Sequence, residues 1–135
     1  MSRKRAREMS MQTIFQMDMT DEINLDNVKK VIEEKKQGHE KDDVYMETLL
    51  TTFVNEQETV DGEISAALKD WTIDRLPKVE LAILRVATTE IMFMEDIPFK
   101  VSINEALNIT KVFSDEESTK YINGTLATIT DKNAK

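Results

Sequence analysis

The sequence predicts an all-α protein, a compact bundle of about seven helices in two small sub-bundles. Three observations predict it. Apolar residues recur at spacings of three and four along most of the chain. Period-two alternation and runs of β-branched residues are scarce. Only two prolines interrupt the 135 residues.

Each element can be read in order. The first helix is expected from about Arg5 to Met19, ending before Asp21. At 100° per residue, Ala6, Met9, Ser10, Thr13, Ile14 and Met17 share one arc, the expected core face. Lys4, Glu8, Met11, Gln12, Phe15, Gln16 and Asp18 share the opposite one, with Arg5 and Arg7 at its margins. A second helix carries Leu25, Val28, Val31 and Ile32 and is expected to end at Gly38, a residue suited to a C-cap. A third spans about Asp42 to Asn55 with Tyr45, Leu49 and Phe53, and a fourth carries Val60, Ile64, Ala67, Leu68 and Trp71. Residues 71–74 read as a connection, with Asp74 capping a fifth helix from about Arg75 to Met94 and Pro77 in its first turn. That helix is apolar on more than one side, which marks a central, buried element. Ser102-Ile103-Asn104-Glu105 and Ser114-Asp115-Glu116-Glu117 have capping-box form and are expected to start the sixth and last helices. The last helix carries Ile122, Thr125, Leu126 and Ile129, and residues 131–135 read as a frayed tail.

Composition excludes most catalytic chemistry. There is no cysteine, hence no disulfide, thiolate metal site or cysteine nucleophile. The single histidine, His39, lies beside Gly38 in a polar stretch and has no partners for a triad or a zinc site. Three widely spaced glycines form no phosphate-binding loop. No apolar run approaches the ~20 residues of a membrane span, and the basic N-terminus is not followed by the apolar stretch of a secretory leader. An enzyme, a cofactor protein and a membrane protein are therefore not expected.

Charge is distributed unevenly. The net charge is −8, yet residues 1–17 carry +3 and the remainder −11. An acidic body with a basic tip suggests an anionic partner at the tip and a basic one elsewhere, although a basic tail that only aids solubility would look the same. Phe15 stands out on the polar stripe of the first helix. An aromatic ring among cations suits single-stranded RNA, which wants a stacking surface and phosphate partners. The competing reading has Phe15 packed against another helix. Tyr121, with Glu117 and Lys120 nearby, offers a second ring at the margin of the last helix's core face. Gly124 inside that helix costs roughly 1 kcal/mol relative to alanine, which points to close approach of another backbone or a ligand. Glu80, Arg85 and Glu90 interrupt the apolar fifth helix. Buried charges are normally paired, so Arg85 is expected in a structural ion pair with Glu105 or another acid.

Several strings resemble one family. Arg5-Ala6-Arg7-Glu8 followed by Gln12 and Phe15 resembles the N-terminal helix of NusB proteins. Trp71-Thr72-Ile73-Asp74-Arg75-Leu76, then Val79-Glu80 and Ala82-Ile83-Leu84-Arg85, is similar to that family's central segment. Ile97-Pro98, Val101-Ser102-Ile103-Asn104-Glu105-Ala106 and Lys120-Tyr121-Ile122-Asn123-Gly124-Thr125-Leu126 match its later motifs. The matches run in order from residue 5 to residue 126. The resemblance implies an all-helical, cytoplasmic transcription antitermination factor that pairs with NusE, a small-ribosomal-subunit protein, and binds boxA RNA. It implies a place in an antitermination complex on RNA polymerase, notably during ribosomal RNA synthesis, and self-association of some free members. It maps the RNA surface onto Arg3, Lys4, Arg5, Arg7, Gln12, Phe15, Glu117, Lys120 and Tyr121, with Glu80 as a neighbour. The family often has Tyr at Phe15 and Phe at Tyr121; both exchanges keep a ring. Two rivals remain: a protein scaffold that never touches RNA, and the NusB-like N-terminal domain of a ribosomal RNA cytosine methyltransferase. These residues contain neither the Gly-rich cofactor loop nor the cysteine that the methyltransferase would need.

Overall fold

The computed structural model describes residues 2–35 and 40–134, and its regular elements are all helical. Seven α-helices are present among the described residues: α1 (Arg3–Met19), α2 (Leu25–Lys35), α3 (Glu40–Asn55), α4 (Gln57–Ala67), α5 (Lys78–Phe93), α6 (Phe99–Phe113) and α7 (Thr119–Asn133), with a 3₁₀ turn at Ile73–Arg75. The expected helix end at Gly38 and the loop position of His39 lie outside the described residues. No described helix is long and apolar enough to cross a membrane.

The fifth helix is the axis. Residues 80 to 91 are all buried, and α5 packs against α1, α3, α4, α6 and α7. On one side α1 and α3 cover it, with α2 lying on α3; on the other α4, α6 and α7 do. This is the two-sub-bundle arrangement that its all-round apolar sequence demands, since such a helix is stable only when neighbours exclude water from every side. Arg85 is held there by Asp61, to which Nε and Nη2 donate at 2.9 and 2.8 Å, and by Asp18 Oδ2 at 3.2 Å from Nη1. The expected structural ion pair thus forms with acids other than Glu105: Arg85 points toward α1 and α4, whereas Glu105 lies on α6 beside Arg7 and Met11.

Helix ends depart from the sequence reading in several places. α1 starts at Arg3 because Ser2 Oγ accepts from the Arg5 amide at 3.0 Å. It ends in a Schellman arrangement, the Glu22 amide reaching the Met17 carbonyl at 2.8 Å, with Asp21 at φ 56° in the left-handed position. Neither expected capping box forms. α6 begins at Phe99 after Pro98, so Ser102 already lies inside its first turn, buried, and donates to Glu90 instead. α7 begins at Thr119, and Ser114 ends α6 while its hydroxyl turns to Glu80. In both cases a buried carboxylate on α5 out-competes a local cap, because an unsatisfied buried anion is far more unfavourable than an uncapped amide near water. Asp74 sits in the 3₁₀ turn rather than capping α5, whose N-cap is Pro77. α4 stops at Ala67, leaving Trp71 in the connection. Residues 131–133 continue α7, where Lys132 Nζ and Asn133 Nδ2 hold Glu63 at 3.2 and 3.1 Å.

Candidate RNA interface

Helix α1 runs antiparallel to α5. Arg7 meets Glu90 near one end, and Asp18 meets Lys78 at 3.2 Å near the other. The expected core face, Ala6 to Met17, is buried throughout. The opposite face is only partly free. Met11, expected on the exposed stripe, is 2% exposed and borders a small cavity with Ile83, Ala106 and Ile109. α1 is therefore packed on two sides, and its helical wheel alone could not reveal the second.

The candidate residues divide into two groups at opposite ends of α5. The first is the basic tip. Lys4, Arg5 and Gln12 are exposed. Arg5 Nη1 lies 3.3 Å from Glu8, and with Gln12 it borders a groove of about 430 Å³ between α1 and α2 that also receives Lys30 and Lys35. Those two lysines were not singled out from sequence, because they sit on a separate helix whose packing angle only the fold sets. Arg3 is half-buried, 3.3 Å from Asp42, its guanidinium 4.4 Å from the centre of the Tyr45 ring. Arg7 does not belong to the tip's free surface. It is 5% exposed, and its Nε donates to Glu90 at 2.7 Å. Glu90 also accepts from Tyr45 and, at 2.7 Å, from Ser102. Burial works to lower the Arg7 pKa, but the hydrogen bond and charge of Glu90 outweigh it and raise the value. Tyr45 is pushed well above its ordinary range by burial and then by Glu90.

The second group gathers around Glu80, about 15 Å from Glu90 along the helix axis at 1.5 Å per residue. Glu80 is 4% exposed, so it borders the surface from beneath and presents no free carboxylate. It accepts three hydroxyls, from Ser114, from Ser118 at 3.0 Å and from Tyr121. It lies in the first turn of α5, beside the unpaired amides of the helix N-terminus, which carry partial positive charge. Tyr121 is half-buried, its hydroxyl turned inward, and burial followed by the Glu80 hydrogen bond raises its pKa well above the ordinary range. Glu117 and Lys120 are exposed beside it. Phe15 lies eight residues beyond Arg7, which by the antiparallel register puts it within about a turn of Glu80's level. It is half-buried and packed against the core, so part of the side chain is structural and part is left accessible. A Cβ at Gly124 would meet nothing within 4 Å, so among the described residues no other part of the chain requires the glycine.

Two sets of comparisons place this architecture. Residues 4–131 match the model of the NusB family. The transcription antitermination protein NusB of Bacillus mycoides (strain KBAB4) is 42% identical over 131 residues, which is 97% of this chain and 98% of the relative. A T. maritima NusB structure superposes with a TM-score of 0.88 at 29% identity, covering 100% of this chain and 94% of that one. A chain from a crystal structure of the antitermination factors NusB and NusE in complex with double-stranded RNA gives a TM-score of 0.83 at 29% identity, covering 98% of this chain and 99% of that one. With the family model matched over residues 4–131 and a relative 42% identical over 97% of this chain, the chain belongs to the NusB family.

Proposed function

We propose that this chain is a transcription antitermination factor that pairs with a NusE-type ribosomal protein, binds boxA RNA and supports processive transcription of ribosomal RNA operons in the bacterial cytoplasm. The observation that carries the proposal is the near-complete likeness to antitermination NusB proteins, one of them crystallised with NusE and RNA. The surface supports it. An exposed Lys4 and Arg5 can meet phosphates, Phe15 and Tyr121 offer partly exposed rings, and Lys120 stands beside the second ring. The −11 carried by residues 18–135 suits a basic partner. In this reading the chain binds and positions; it performs no chemical step. Of the residues assigned from sequence, Arg7 and Glu80 act from the interior by holding α1 and α7 in place, while Arg3, Lys4, Arg5, Gln12, Phe15, Glu117, Lys120 and Tyr121 remain the contact set.

Calorimetry with NusE, and anisotropy titrations of a boxA RNA with and without NusE, test the proposal. Association at micromolar concentration and tighter RNA binding by the pair are expected. Absence of NusE association together with absence of RNA binding by either form would refute it and leave a scaffold role.

A further inference from the structure

The groove between the α4–α5 connection and α7 touches the assignments above only through Tyr121. It measures about 240 Å³ and is bordered by Lys69, Trp71, Tyr121, Gly124 and Thr128, among others. Trp71 is 57% exposed and is the chain's only tryptophan. α4 ends four residues before it, and the neighbouring apolar side chains Leu68 and Ile73 pack against the core while Leu76 is buried in it. The largest apolar side chain in the protein is thus left more than half exposed to water, where that area gains nothing from burial. Gly124 stands in the interior of α7, where glycine is the least favourable residue after proline. A side chain there would touch nothing in this chain. Gly62 is equally open, so openness alone decides nothing; what sets Gly124 apart is its place in the same groove as two aromatic rings. One of these rings is immobilised, since the Tyr121 hydroxyl is tied to the buried Glu80. Lys69 on the groove's edge and Lys120 beside Tyr121 supply cations, partly offset by Asp70. The volume is below that of ordinary small-molecule pockets, about 300–1,000 Å³, and suits a single planar group on a charged chain.

We propose that this groove receives one unpaired nucleobase of bound RNA, stacked on Trp71 beside Tyr121, with Gly124 leaving the space the base enters. The proposal rests on the RNA reading above and adds to it a site on the α4–α5 connection. The stack is sequence-tolerant, because every base has a π-face. Lys69 and Lys120 serve the flanking phosphates.

Because Trp71 is the single tryptophan, its emission reports this groove alone, with the Trp71→Phe protein as the blank for NusE. The intact protein is titrated with a 12-nucleotide single-stranded boxA RNA, with the same RNA annealed to its complement, and with NusE alone. Quenching by the single strand and none by the duplex is expected. Trp71→Ala should weaken single-strand binding about 5- to 150-fold, the range that removal of one base–aromatic stack gives, while Trp71→Phe restores most of it. Gly124→Leu should weaken binding similarly by filling the groove. Melting of both Trp71 variants should match the parent, since the side chain is exposed. Normal RNA affinity of Trp71→Ala, together with parent-protein emission that RNA leaves unchanged, overturns the groove assignment and leaves the RNA reading standing. Full quenching by NusE without RNA overturns it in favour of a protein occupant. Failure of the parent protein to bind RNA even with NusE defeats the RNA reading itself.

Discussion

Glu80 and Glu90 occupy the same helix ten residues apart, are both nearly inaccessible, and each accepts three hydrogen bonds. Their partners differ. Glu90 binds a buried cation, Arg7, together with Tyr45 and Ser102, and so ties α1, α3 and α6 to α5. Glu80 is satisfied by hydroxyls alone, all from the end of α6 and the start of α7. A buried ion pair cannot lose one member without stranding the other charge in a medium that solvates it poorly. A hydroxyl cage can lose a member and be partly repaired by water, the more so near the surface. The Glu90 end is therefore a lock, and the Glu80 end a mount that orients Tyr121.

The strongest attack on this contrast removes Arg7. Arg7→Ala should destabilise the fold by about 3–5 kcal/mol, as for other broken buried pairs, measured by urea unfolding. RNA affinity of the folded fraction should change little. A stable variant with lost RNA binding would return Arg7 to the contact set.

Next in size is Phe15→Ala. Emptying a fully buried Phe site costs about 3–5 kcal/mol, and with Phe15 half-buried roughly half of that is expected in the melt. Loss of a base stack should remove a further 1–3 kcal/mol, approximately, from RNA binding. Met17→Ala, at a fully buried site on the same helix, should lower stability without touching RNA affinity. A Phe15→Ala protein that melts early and binds RNA normally would assign the ring wholly to the core.

Glu80→Gln sharpens the comparison from the other end. Hydrogen bonds to a charged group contribute roughly 1.5–3 kcal/mol, and the amide oxygen retains some of them, so a stability loss of about 1–2 kcal/mol is expected, well below that of Arg7→Ala. Tyr121→Phe should lose less still and keep the ring. Alkaline unfolding reads the same mount. The Tyr45 and Tyr121 pKa values are raised in the folded state, so their stabilisation is fully present below about pH 10, the ordinary tyrosine value. It is lost as pH rises through the higher folded values, because the unfolded chain releases its protons first. Tyr121→Phe should blunt that loss; an unchanged alkaline slope would argue against the buried hydroxyl.

The smallest effects belong to the tip. Lys4→Ala and Arg5→Ala should change stability by less than about 0.5 kcal/mol. Each should reduce the slope of log affinity against log salt by about 0.7 if it meets one phosphate of a single strand. With Arg7 buried and Arg3 engaged by Asp42, the slope assigned to the tip should be nearer −1.5 than −3, taking roughly two phosphates. A slope unchanged by both substitutions would detach the tip from RNA.

Helix number, the central place of α5 and the core face of α1 were legible in the sequence, because apolar spacing is a local property that burial enforces turn by turn. The family, too, was legible, since its motifs run nearly the length of the chain. The rings of the first and last helices, Phe15 and Tyr121, are each left half-buried by the fold. What failed did so for one reason. Ser102 and Ser114 have the residues of capping boxes, and Arg7 those of a phosphate ligand. In each case the outcome depends on which groups from distant segments converge. Arg7 and Ser102 are drawn inward by Glu90, 83 and 12 residues away, and Ser114 and Tyr121 by Glu80, 34 and 41 residues away. The sequence by itself determined the helices and their apolar faces. The tertiary structure alone decided which charges became interior and which aromatic rings stayed at the surface, because a buried carboxylate takes its donors from whatever the packed helices bring within reach, and sequence spacing carries no record of that meeting.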